Sequence, residues 1–192
     1  MSVIVESYCD MAKKYVLKHC DHEIMLRFPV NKIGHFCEYN APSILIHDCH
    51  SNRVDFSRSP YWIFCPHLIR RIHNIESCGW IKILQDFIQG PLADQWLDFT
   101  QRVPNLLKTK LSTAYYTHLS KEGRANIAGV KDPFHLKCLH AHYSFYKIHG
   151  EGWVGQFVEN LLIWRSNRQQ QSPVLACQAE LLECNYHDEV QA

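Results

Sequence analysis

The chain has 192 residues, enough for one domain with extensions, and 46% of them are hydrophobic, so it can bury a core without covalent staples. A formal net charge of +1 argues against a dedicated nucleic-acid surface, which shows a strong basic excess. Cysteine (9) and histidine (13) are numerous, the opening Met1-Ser2-Val3-Ile4-Val5-Glu6 lacks the regions of a secretion signal, and no stretch reaches the roughly 18–20 apolar residues of a membrane span. The expected setting is therefore a reducing cytoplasm, in which thiols stay free or hold metal.

Glu6 to Cys20 has helical spacing, with Tyr8, Met11, Tyr15, Val16 and Leu17 as its apolar positions. His22 to Val30 alternates through Ile24, Leu26 and Phe28, as a half-buried strand does. Ser43 to His47 is a short apolar run after Pro42, and Pro60 to Phe64 is a third strand. Asp48 to Ser59 reads as the loop between these two.

Helices take over after Cys65. Pro66 suits a helix start, and the run to Glu76 carries Leu68, Ile69, Ile72 and Ile75 on one side before Gly79 ends it. Trp80 to Ile88 is helical up to Gly90-Pro91, and Leu92 to Gln101 is the next helix. Pro104 is expected to open a further helix to about Leu119, capped by Gly123. After a connector from Ala125 to Pro133, Phe134 to Ile148 and Trp153 to Trp164 complete the set. The fold class is α+β: a small antiparallel sheet from the N-terminal third packed against a helical C-terminal two-thirds. Residues 1–165 read as a single domain with an N-terminal helical segment, and 166–192 as a polar, mobile tail.

The richest chemistry lies in Lys137-Cys138-Leu139-His140-Ala141-His142-Tyr143. Cys37 and Cys65 each stand beside a strand end, near a proline, where distant segments can converge. Thiolate is soft and imidazole borderline, so such a set favours zinc or an iron–sulfur cluster over magnesium or calcium. In a regular helix Cys138 and His142 share a face, and His140 points about 160° away. Either His142 is the fourth ligand, or Cys138 lies at the helix start, where that geometry relaxes. His47, Cys49 and His50 form a second, loop-borne cluster. No phosphate loop, dinucleotide fingerprint or serine elbow is present.

At these residues the chain resembles a bacterial family catalogued as domain of unknown function 501, from about His35 to Val158. The resemblance is carried by Cys37 ahead of Pro42, by Tyr61-Trp62-Ile63-Phe64-Cys65-Pro66-His67-Leu68, and by Ala128-Gly129-Val130-Lys131 followed by Lys137-Cys138-Leu139-His140. The chain departs from the pattern in lacking a glycine after the first cysteine, and in having Gly152-Trp153 where the pattern has Asn-Pro. The resemblance implies that Cys37, Cys65, Cys138 and His140 belong together, and favours His140 over His142.

The expected function is thus a metal- or iron–sulfur-binding protein with redox or sulfur chemistry and ligands among Cys37, Cys65, Cys138, His140 and His142, acting on a small molecule or a protein. A non-catalytic module with structural zinc, docking a protein or RNA through Arg70-Arg71, is the alternative. A third reading makes Cys138 a metal-free nucleophile. A wide pocket beside Cys138, lined by His67, His140 and Arg124, would favour an enzyme, and a closed tetrahedral site the module.

Overall fold

The structure is a computed structural model and describes residues 32–37, 42–46 and 59–168. The helix expected over Glu6 to Cys20, the strand expected over His22 to Val30, the His47-Cys49-His50 cluster and the chain beyond 168 lie outside the described residues. Three strands, β1 (Lys32–Phe36), β2 (Pro42–Ile46) and β3 (Tyr61–Ile63), form an antiparallel sheet in that order. Central β2 is buried from Ser43 to Ile46, which is why it reads as an unbroken apolar run. β1 carries no strand signal in the sequence, because Gly34 and His35 interrupt its apolar pattern. Its register against β2 slips on both sides of His35. Gly34 lies where a side chain would press on Ile148 and Ile46.

Among the described residues six helices follow: α1 (Pro66–Ser77), α2 (Trp80–Gln89), α3 (Ala93–Lys110), α4 (Thr113–Lys121), α5 (Leu139–His149) and α6 (Trp153–Arg168). The architecture is α+β, with the sheet from the N-terminal region and the helices from the rest. Among the described residues no helix is long and apolar enough to cross a membrane.

Two boundaries differ from the sequence reading. α3 runs through Pro104, because Trp96, Phe99, Val103 and Leu107 keep one buried face on either side of the proline. The break comes later, at Ser112, whose hydroxyl accepts the Tyr115 N–H and caps α4. The helix expected from Phe134 begins only at Leu139. Gln85 of α2 holds the preceding segment extended, donating to the Phe134 carbonyl and accepting the Leu136 N–H at 2.8 Å. Trp96 adds a bond to the Pro133 carbonyl at 2.8 Å. These bonds displace Cys138 from the helix to its N-cap.

α5 lies at the centre, packed between β3, α1 and α6. Leu139, Ala141, His142, Tyr143, Ser144 and Phe145 are all buried, so it shows no single apolar stripe. Near its C-terminus His149 Nε2 is hydrogen-bonded to the Tyr61 hydroxyl at 2.8 Å, and the ring lies against that of Phe145 at 4.4 Å. Burial, reinforced by the Lys110 charge, pushes His149 down from 6.5 to about 4. The native ring therefore stays neutral while the unfolded one takes up a proton. Stability is expected to fall as pH drops from about 6.5 to about 4, by about 1–2 kcal/mol for this partly solvated group. Urea unfolding at pH 7 and pH 4.5 tests this: His149→Gln should lose less stability than wild type, and an equal loss would assign the effect elsewhere.

Candidate metal centre

α1 and the start of α5 together build the site. α1 contributes the Glu76 carboxylate from its last turn and the Ile69 carbonyl from an earlier one. Cys138 occupies the N-cap position of α5, without a side-chain cap bond of its own, and His140 stands in its first turn. The ligand atoms of Glu76, Cys138 and His140 all lie within 4.8 Å of one another. His140 Nδ1 is 3.1 Å from Glu76 Oε1, and Nε2 is 3.2 Å from the Ile69 carbonyl oxygen. The Leu139 N–H donates to the same Glu76 oxygen at 2.6 Å. Side-chain exposure is 24% for His140 and 15% for Glu76.

The Ile69 carbonyl can only accept, so Nε2 of His140 carries a hydrogen and Nδ1 faces Glu76. Burial alone would lower His140. Hydrogen bonds to Cys138 and Glu76, the Glu76 charge and the Ile69 carbonyl overcome it and push the imidazole up to about 10. For Glu76 burial also works against the charge. The His140 bond, its charge, and the N–H groups of Leu139 and His140 hold the carboxyl below its usual range.

Of the residues expected from the sequence, Cys138 and His140 come together, and Cys37, Cys65 and His142 stand outside this group. Cys65 caps α1 at the end opposite Glu76, and eleven residues at 1.5 Å each separate them by about 16 Å. Cys37 follows the last residue of β1. His142 is 4% exposed, with its ring 5.8 Å from that of Trp96, and burial lowers it to about 3. The shared-face pairing of Cys138 with His142 does not arise, because Cys138 has extended backbone outside the helix.

Sequence reading missed Glu76. Its signal is an acid in the last turn of a helix, where the macrodipole disfavours negative charge. That position makes sense once the carboxylate is seen to cap the N-terminus of α5 instead.

A cavity of about 370 Å³ opens beside Cys138 and His140, with Trp62 and Lys137 also in its wall. His67 and Arg124, expected there, do not line it, and Arg124 donates to the Gly129 carbonyl at 3.2 Å.

The fold and site define an α+β protein whose central helix presents a thiol and an imidazole at its N-terminus, against a carboxylate from a neighbouring helix. The chain belongs to the family described as protein of unknown function (DUF501), whose family model matches residues 33–160. No curated protein and no solved structure matches the chain.

Proposed function

We propose that Glu76, Cys138 and His140 bind one divalent ion of the zinc class, leaving a coordination position open toward the adjacent cavity. The observation that carries this reading is the mutual approach of the three donors within 4.8 Å. Donors bonded to zinc at 2.0–2.3 Å stand roughly 3.4–3.8 Å apart, so small side-chain movements suffice. The bond from His140 Nε2 to the Ile69 carbonyl supports it, because metal-bound histidines anchor their second nitrogen in this way. In the metal-free chain a proton on Nδ1 bridges to Glu76. The ion takes its place, and binding releases protons.

Three protein ligands with a fourth position free is the arrangement of hydrolytic zinc sites, in which bound water is activated. The reading is therefore a metal-dependent enzyme acting on a small molecule. A single thiolate in the group favours zinc over an iron–sulfur cluster, which calls for several cysteines. The open cavity favours this over a closed structural site in a binding module. Among the described residues no disulfide joins Cys37, Cys65, Cys78 or Cys138, in keeping with the reducing cytoplasmic setting proposed for the chain.

A second reading rests on the approach of Cys138 Sγ to His140 and Glu76, all within 4.8 Å: without metal, the trio is a thiol, an imidazolium and a carboxylate, the parts of a cysteine nucleophile. Zinc titration against a chelator, followed by iodoacetamide labelling, separates the two. The metal reading expects one zinc per chain, retained in the Cys37→Ala/Cys65→Ala double variant, and protection of Cys138 from alkylation by zinc. Labelling of Cys138 at the same rate with and without zinc would leave only the nucleophile.

A further inference from the structure

The cavity beside the donor set has a composition of its own. At about 370 Å³ it falls within the ~300–1,000 Å³ range of small-molecule sites. Its walls are mainly apolar and aromatic, from Tyr61, Trp62, Ile63, Ile69 and Ala128. Ala128 is the single non-glycine residue with positive φ (60°) among the described residues, and it is buried. Its strained backbone holds the wall of the 3₁₀ turn (Ile127–Gly129) against the cavity.

The charge at this cavity has one sign. Lys137, exposed and immediately before Cys138, is its one lysine or arginine, and no acidic side chain is among the described residues that line it. A divalent ion with a thiolate, a carboxylate and a neutral imidazole carries no net charge, so Lys137 sets the sign at the mouth. The positive end of the α5 dipole adds to it.

We propose that this cavity takes a small molecule with a flat apolar body and one anionic group, the anion lying between Lys137 and the open coordination position. The proposal deepens the metal reading and rests on it for the second of those two anchors. The apolar body packs on Trp62 and Ile69, and the exclusion of cationic molecules follows from Lys137.

Benzoate, benzamide and benzylamine share one ring and differ in charge, which makes them matched probes. Titrated by calorimetry into the full chain, with and without one equivalent of zinc, benzoate is expected to bind at least about threefold tighter than the other two, the yield of a half-exposed ion pair. In Lys137→Gln, an exposed change that leaves the fold alone, this preference should shrink while zinc content stays the same. Benzoate binding no tighter than benzylamine, or unchanged in Lys137→Gln, overturns the proposal. Zinc content measured on the same samples separates the two claims. One zinc per chain without the preference sinks the substrate class alone, and a preference without zinc sinks the metal reading alone.

Discussion

Replacing His140 with alanine is expected to weaken zinc binding by more than about a hundredfold, since even the outer partners of a metal ligand are worth 10–100-fold. Its Nδ1 stands 3.1 Å from Glu76 Oε1, and among the described residues no other imidazole joins the group. His142→Ala, two residues away, should leave zinc affinity within about twofold, because that ring is buried against Trp96. It should instead lower stability by about 2 kcal/mol, the usual result of emptying a buried site. Chelator competition and urea unfolding on both variants give opposite patterns for the two histidines. Zinc loss in His142→Ala with a stable fold would reverse the assignment.

Gly155→Ala is expected to destabilise the chain by about 3 kcal/mol or more, a large share of the 5–15 kcal/mol of a typical domain. Gly155 is near the start of α6, where that helix crosses α5. A methyl group there would overlap the His142 carbonyl oxygen and the Tyr146 Cβ, with the His142 carbonyl carbon 3.0 Å away. Backbone cannot move aside as a flexible side chain can, so the two helices must part. Gly79→Ala is the control. Gly79 has φ +83° and nothing within 4 Å of an added Cβ, so its loss should cost only about 1 kcal/mol, the strain of the left-handed backbone. Equal shifts in urea midpoint for the two variants would show that α5 and α6 are not closely packed at Gly155.

Much of the helical fold was legible because its signals are local. Pro66 and Gly79 bracket α1, and Gly123 follows the end of α4 with φ +65°. What failed was decided at a distance. The start of α5 is set by Gln85, more than fifty residues upstream of Leu139, and nothing in Phe134 to Lys137 itself opposes a helix. Pro104 looks like a start signal, yet burial of Val103 and Leu107 carries α3 past it. β1 was hidden by Gly34, which is there to admit Ile148 and Ile46.

The site followed the same division. Cys138 and His140 stand two residues apart and read as a motif. Glu76 comes from another helix, and the sequence gives no spacing that ties it to them. Cys65 looked equivalent to Cys138, and both are helix N-caps. They cap different helices, and the length of α1 keeps Cys65 away from Glu76. Placement at a helix N-terminus is the shared feature, and among the described residues it is Cys138 that joins an imidazole and a carboxylate in one group.

The central claim is a zinc-class ion held by one thiolate, one imidazole and one carboxylate. X-ray absorption at the zinc edge, on the full chain loaded with one equivalent, reads that donor set directly. The expected result is one sulfur at ~2.3 Å and two or three nitrogen or oxygen neighbours at ~2.0–2.2 Å, one of them solvent in the open position. Three sulfur neighbours would contradict it and return the ion to a thiolate-rich site with Cys37 and Cys65.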